Sequence, residues 1–461
     1  MTQKKNKKWS KKIKQNSYKW HRILGIVTII PVIFWCLSGL MHPIMAHWFK
    51  PSIAHEKLET KTIDTTQIKV SLHEVLVKNK IDAFKNFHLV TFNNTTFYQI
   101  KTTLENENLY FNTKTGSELK NGDQIYAQWL ARYFLDDQQS KIKTIEPITQ
   151  FDGQYKYVNR YLPVWKVTFD RKDAMDVYVE TNTGKLATYN PTSRKIQLWI
   201  FDTFHNWSFL EAISNNSVRI IVMLFLLGII SASAISGLLI YGFFWKIFKK
   251  TPTTNSDSKF RKHHRKIGIA VAFVTFTFSF SGGYHALKKW EPYTLDKMVY
   301  SPDFKTEDFS ASNIFQKADS TWATVGLIQF KNNNYYQISL KPNENDETKN
   351  NYFDAKTGIE KPNLEIEYAQ FLANKFAKMM TSNSPLPADC CEIENTASCL
   401  KNAKLISTNY LYQFDNREYG FVNKRLPVIK LSYDTPEKTT FFIEPTTSRL
   451  AAKVTNAERT E

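Results

Sequence analysis

Trp20-His21-Arg22-Ile23-Leu24-Gly25-Ile26 opens an apolar stretch that closes on Ser38-Gly39-Leu40-Met41-His42. The pattern returns as His263-His264-Arg265-Lys266-Ile267-Gly268-Ile269, closing on Ser281-Gly282-Gly283-Tyr284-His285. Both histidines recur at the same offset of 243 residues, without a gap. In each copy 21 residues separate the first histidine from the second. As a helix that distance is about 31 Å, roughly the hydrocarbon thickness of a bilayer. The stretch therefore reads as a membrane helix with one imidazole near each face, present twice.

Working outward, the charge-free apolar runs Ile23 to Met41, Ile220 to Trp245 and Ile267 to Tyr284 predict transmembrane helices over 23–42, 219–245 and 267–285. The net charge of +18 is concentrated in two short flanks. Residues 1–22 hold nine Lys or Arg and no acid, and residues 246–266 hold eight against the single Asp257. Short basic flanks stay on the cytoplasmic side, which puts 1–22 and 246–266 inside and 43–218 and 286–461 outside. The basic balance is thus a topology signal, and without interleaved aromatics it does not point to nucleic acid. The first apolar run is long for a signal peptide, and Met41-His42-Pro43 offers no small-residue cleavage site, so it is read as an uncleaved helix.

The repeat continues into the polar segments. Phe97-Tyr98-Gln99-Ile100 returns as Tyr335-Tyr336-Gln337-Ile338, and Tyr126-Ala127-Gln128-Trp129-Leu130-Ala131 as Tyr368-Ala369-Gln370-Phe371-Leu372-Ala373. Val158-Asn159-Arg160-Tyr161-Leu162-Pro163-Val164 returns as Val422-Asn423-Lys424-Arg425-Leu426-Pro427-Val428. This is the signature of a duplicated half. A shorter unit lies inside each half: a strand runs into an acidic or amide residue and a Thr-Gly turn at Phe111–Gly116, Tyr178–Gly184 and Phe353–Gly358, with a degenerate copy at Phe442–Ser448. Glycine supplies the positive φ that such turns need. Helical patterns over 71–78 and 124–134 accompany the strands, so two outer α+β domains with antiparallel sheets are expected, each of two tandem units.

Tandem strand-(D/N/E)-x-x-Thr-Gly turns, set between helices that begin His-Arg-x-x-Gly and end near Ser-Gly, resemble the PepSY-associated transmembrane family over nearly the whole chain. With the three transmembrane helices read above, the resemblance implies a bacterial inner-membrane protein with two duplicated PepSY-like extracytoplasmic domains. It also implies a link to iron uptake and, in some members, haem-dependent reduction of ferric siderophores. One departure is visible: the second half ends after Arg449-Leu450-Ala451-Ala452 with no counterpart of the second helix or of His205. A truncated chain, a shortened variant, or subunits that pair to replace a fourth helix would each account for it.

Histidine at the end of a membrane span is costly unless partnered, and is a functional candidate by default. Two neutral imidazoles from different helices suit a low-spin haem b for electron transfer. The duplication suggests His21 with His264 near the inside and His42 with His285 near the outside, giving one or two haems. His205, in the aromatic segment 199–209, competes as a ligand to pair with His42 or His285. The bland reading of the same residues is interfacial anchoring. His263, His47, His55, His73 and His88 lack copies and read as surface or packing residues. Ser231, Ser233, Ser236 and Gly237 allow close helix approach or clearance for a flat macrocycle. Cys36 reads as a small core residue. Cys390, Cys391 and Cys399 suggest one disulfide, to Cys399 from either neighbour, or more weakly a metal or redox site.

No Gly-x-Gly-x-x-Gly, Walker lysine loop, His-Glu-x-x-His, Cys-x-x-Cys-His or Gly-x-Ser-x-Gly occurs. Electrons would then come from membrane quinol or a separate cytoplasmic donor. The sequence reading is an inner-membrane haem protein that passes electrons to a ferric siderophore or other ferric chelate. The alternative is a cofactor-free, membrane-anchored PepSY binding or regulatory protein. A transporter is disfavoured, because three spans make a poor channel and none holds an acid.

Overall fold

The computed structural model describes residues 2–103, 107–213, 216–250, 256–288, 298–309, 314–345, 347–382, 400, 403–415 and 417–459. The chain runs from α1 (Thr2–His47) into α2 (Leu72–Lys78), β1 (Ala83–Phe92), β2 (Thr95–Thr102), β3 (Leu109–Asn112), α3 (Gly122–Leu135), β4 (Ile142–Ile148), β5 (Val164–Phe169), β6 (Asp176–Glu180) and β7 (Lys185–Asn190). There follow α4 (Thr192–Phe204), α5 (Phe209–Ile213), α6 (Asn216–Lys250) and α7 (Ser256–Lys288). The last stretch holds β8 (Phe304–Lys305), β9 (Trp322–Phe330), β10 (Asn333–Leu340), β11 (Asn350–Asp354), α8 (Leu364–Ser382), β12 (Leu405–Leu411), β13 (Val428–Tyr433), β14 (Thr440–Glu444), β15 (Arg449–Val454) and α9 (Asn456–Arg459). These elements form two compact units, Met1–Pro51 with Ser193–Tyr293, and Ser52–Thr192 with Thr294–Glu461.

The first unit is helical. Within α1, α6 and α7, the spans Gln15–Met45, Asn216–Gly242 and Lys259–Leu287 are each long and apolar enough to cross a membrane. Their outer faces carry large apolar side chains with nothing packed on them; Phe273, Phe278 and Phe280 are 71%, 74% and 70% exposed. A helix that turns apolar side chains outward is built for a lipid surrounding, and the chain is a membrane protein. α6 packs against both α1 and α7. Ser231 of α6 and Ser279 of α7 hydrogen bond at 2.8 Å, where small side chains let the backbones approach.

The second unit is α+β with antiparallel sheets. β1–β3 and β9–β11 join in one sheet of order β11-β10-β9-β1-β2-β3, with β8 pairing β1. Four-stranded sheets β4-β5-β6-β7 and β12-β13-β14-β15 flank it. The segments expected as two outer domains are therefore one compact unit. The seam is β1 against β9, where His88 stands opposite Gly326. Two edge strands with unpaired amides satisfy each other there, and a Cβ on Gly326 would lie 3.2 Å from His88 Nδ1.

The helices form where the pattern expects them. Ser71 caps α2 in a reciprocal capping box with Glu74. α3 buries Tyr126, Ala127, Leu130, Ala131 and Phe134, one face at helical spacing, against Phe92, Tyr110, Trp165 and Val177. α8 does the same with Tyr368, Ala369, Leu372, Ala373 and Phe376 against Tyr352, Leu431 and Phe441. Each helix thus closes a core between the shared sheet and its own four-stranded sheet. Asp123, at the start of α3, accepts from Tyr110 at 2.8 Å, Trp165 Nε1 at 2.8 Å and Asn108 at 3.1 Å.

The recurrent turn has a simple chemistry. Gly116, Gly184 and Gly358 sit at φ of 66°, 64° and 66°, and Ser448 holds the fourth position at 51°. The residue four before each turn glycine closes the loop with its side chain. Asn112 accepts from the amides of Lys114 and Thr115, Glu180 from that of Thr183, and Asp354 from those of Lys356 and Thr357. Glu444 accepts from the Thr447 hydroxyl. This is why the motif demands a carboxylate or amide, then threonine, then a residue that tolerates positive φ.

Glu444 has a second task. Its carboxylate, 1% exposed, meets Lys185 Nζ at 3.1 Å and Arg425 Nη1 at 2.8 Å. Burial opposes its charge, yet the two cations override that and hold the carboxyl far below the usual carboxylate range. This ties β7 to β13–β14 across about 260 residues of sequence. The turns Tyr157–Asn159 and Phe421–Asn423 also meet: Tyr161 donates to the Lys424 carbonyl at 2.7 Å, and Arg425 to the Arg160 carbonyl at 3.3 Å.

Candidate functional site

In the helical unit, His21 projects from α1 and His264 from α7, and their ring centroids are 6.3 Å apart, with planes inclined at 52°. His21 is held from α6. Its Nδ1 lies 3.2 Å from the Ser233 carbonyl oxygen and 2.9 Å from Ser236 Oγ. A carbonyl only accepts, so Nδ1 carries the proton and Nε2 keeps its lone pair, the tautomer in which a histidine serves as a metal ligand. Gly237 lies under the ring: a Cβ there would come within 3.0 Å of His21 Cε1.

The family resembled implies haem. His21 and His264 are the two imidazoles close enough that they would hold such a group between them, and the bond from His21 Nδ1–H to a backbone carbonyl is the support a metal-ligating histidine takes. Residues Ser233, Ser236 and Gly237, read from the sequence only as small, prove to be the positioning residues of His21.

A second cluster lies toward the other end of α1. Segment 201–207 docks along α1: Phe204 stacks on Phe34 at 4.8 Å, Trp207 lies 5.4 Å from Trp35, and Trp35 Nε1 donates to the His205 carbonyl at 2.9 Å. The His205 ring stacks on Phe201 at 4.6 Å and its Nδ1 is 3.2 Å from Ser38 Oγ. Gly39 gives it room, since a Cβ there would sit 3.7 Å from His205 Cε1. His42 reaches the same Phe201, at 5.6 Å. His42 and His205 are thus neighbours through one aromatic ring. His285 of α7 has its ring contact with Tyr284, and among the described residues no ring contact joins His42 to His285. The competitor His205 is the histidine the structure brings near His42, through the aromatic residues that the sequence marked only as a rich segment.

The remaining histidines have local roles. His88 holds the sheet seam, His73 Nδ1 contacts the Thr306 carbonyl at 3.2 Å, His55 stacks on Tyr133, and His263 and His47 are exposed. Cys36, expected in a core, is exposed on the surface of α1: helical geometry turns position 36 away from the face that carries Trp35 and Ser38. Cys390, Cys391 and Cys399 lie outside the described residues. Among the described residues no group of three or more His, Cys, Asp or Glu is arranged to hold a metal ion.

No curated protein and no solved structure matches the chain. The profile of the family described as PepSY-associated TM region matches residues 94–329, just over half of the chain. With its apolar helices, its repeated capped turns and this match, the chain belongs to the PepSY-associated TM family.

Proposed function

We propose that this protein is a haem-containing electron-transfer protein of a bacterial cytoplasmic membrane, reducing a ferric siderophore or other ferric chelate on the extracytoplasmic side of that membrane during iron uptake. The observation that carries the reading is the approach of His21 to His264 at 6.3 Å, with His21 Nδ1 engaged by the Ser233 carbonyl. His21 and His264 would hold one haem b, and His42 with His205 or His285 would hold a second. Bound haem supplies one-electron transfer. The chain's own residues set its conditions: Ser233 and Ser236 fix the His21 tautomer and ring orientation, and Gly237 leaves space for the ring. Ser38 and Phe201 orient His205 in the same way. The basic flanks 1–22 and 246–266 favour a cytoplasmic N-terminus, with the α+β unit outside. Electrons would enter from quinol or a cytoplasmic donor.

The test is a reduced-minus-oxidised absorption spectrum of the detergent-purified full chain, with haem quantified per chain. A low-spin b-type signal lost equally in His21→Ala and His264→Ala, with any second signal intact, is the expected result. A colourless protein after expression with adequate haem would overturn the reading and leave the binding or regulatory protein. Independent loss of two different signals in the two variants would refute the pairing.

A further inference from the structure

Segment 201–207 follows α1 inward from its His42 end. Phe201 meets His42, His205 meets Ser38, and Trp207 and Phe204 meet Trp35 and Phe34. Trp35 and Phe34 precede Met41, where the apolar run of α1 ends, by six and seven residues. At the helical rise they lie about 10 Å inside that end, a third of the roughly 30 Å hydrocarbon core. Rings packed on Phe34 and Trp35 share that depth. The chain turns at Trp207, whose φ is 53°, and returns through α5 to the start of α6.

Backbone at such a depth needs partners other than water, and the turn supplies them from within. The amides of His205 and Asn206 donate to the Phe201 carbonyl, that of Ser208 to Asp202, and those of Leu210 and Glu211 to Trp207 and Ser208. The His205 carbonyl accepts from the Trp35 indole at 2.9 Å. Asn206 donates to the Asp202 carboxylate at 3.1 Å, and Glu211 pairs with Arg219 of α6 at 2.9 Å.

The docked side of α4 carries Phe201 and Phe204, and helical spacing turns Ile196 and Trp199 to the other side. Ile196 and Trp199 are 53% and 59% exposed, and Phe209, past the turn, is 46% exposed. Trp199 touches the edge of the Phe204 ring at 6.5 Å, so it stands close to the depth of α1's Phe34. Its Nε1 has no protein acceptor among the described residues, an arrangement suited to an indole whose ring lies in acyl chains and whose N–H reaches the headgroup region. Leu37 and Leu40 of α1, in the same stretch, also turn outward. The apolar surface of α1 thus continues onto this segment.

We propose that residues 196–209 form a re-entrant segment embedded in the leaflet at the His42 end of α1, with phospholipid acyl chains covering Ile196, Trp199 and Phe209. Lipid then seats the loop that carries His205 and places that imidazole inside the membrane boundary. The proposal does not depend on any cofactor.

Photochemical labelling of the full chain in phosphatidylcholine–phosphatidylglycerol vesicles tests it. Benzoylphenylalanine replaces Ile196, Trp199 or Phe209, one at a time, and in a reference variant replaces Phe278 on the outward face of α7. After illumination, peptide mass spectrometry should find phospholipid adducts at all three positions, at no less than a tenth of the Phe278 yield. Melting and helix content report folding of each variant. Unmodified protein in the same vesicles gives a second readout by hydroxyl-radical footprinting, in which Phe209 should be oxidised within tenfold of the Phe278 rate. Adduct yields under a tenth of the reference at both Trp199 and Phe209 overturn the proposal, as do cross-links to a second copy of the chain in place of lipid adducts. Oxidation of Phe209 more than tenfold faster than Phe278 overturns it equally, and decides the matter if the labelled variants do not fold.

Discussion

Glu444→Gln is the sharpest test of how the α+β unit is held together. Glutamine keeps the size of the side chain and one acceptor oxygen, but removes the charge between Lys185 Nζ at 3.1 Å and Arg425 Nη1 at 2.8 Å. At an effective dielectric of about 20, each such pair is worth about 5 kcal/mol of attraction. Desolvation of the ions offsets much of this, so the quantity to use is the cost of removing one partner from a buried pair, about 3–5 kcal/mol. Lys185→Met should cost less, because Arg425 still neutralises Glu444. Hydrogen exchange of the β13–β15 amides in the full chain reads the effect locally. At about 1.4 kcal/mol per factor of ten, protection should fall by about two to three and a half orders of magnitude in Glu444→Gln. The sign of the pH dependence follows from the depressed folded value of this carboxyl. Its contribution is fully present above the unfolded value of about 4.3 and is lost as pH falls, so wild type and variant converge in acid. Unchanged protection at pH 7, or a loss no greater than in Lys185→Met, would refute the reasoning.

Four further outcomes are expected. Burial lowers the His88 imidazole to about 4; its neutral form therefore contributes fully above about 6.5, and roughly 3 kcal/mol is lost as pH falls from there toward 4. Urea titrations between pH 4.5 and 7 should show this slope in wild type and a flatter one in His88→Gln. Gly326→Val forces a side chain against His88 Nδ1, 3.2 Å from the position of its Cβ, and should cost about 1–3 kcal/mol in the same titration. Asp123→Ala leaves the buried donors of Tyr110, Trp165 and Asn108 without their shared acceptor. Each orphaned donor costs about 1–3 kcal/mol, so the midpoint of unfolding should fall further than for any single-donor variant such as Tyr110→Phe. Gly237→Ala pushes on His21 Cε1, 3.0 Å from the added Cβ; under the proposed function, haem recovered per chain should drop severalfold with helix content by circular dichroism unchanged.

Much of this architecture is legible in the chain itself, because it depends on periodicity and on local chemistry. Apolar runs of bilayer length announce α1, α6 and α7 whatever surrounds them. The Asn112, Glu180 and Asp354 turns are closed by side chains two and three residues from their partners, so a short motif is enough to specify them. The register of α3 and α8 follows from the spacing of Tyr126-Ala127…Leu130-Ala131 and its copy. Tertiary structure decided everything that depends on distant edges and on one helix face meeting another. The pairing of β1 with β9 turned two expected domains into one unit, because an edge strand accepts any partner that can satisfy its amides, and sequence does not name that partner. Matched copies of His21 and His264 carried no distance between them; the packing of α6 against α1 and α7 brought the rings to 6.3 Å and put the Ser233 carbonyl on Nδ1. The docking of segment 201–207 on α1 set His42 beside Phe201, and Ser38 beside His205, through contacts about 160 residues apart in the chain that no local pattern encodes.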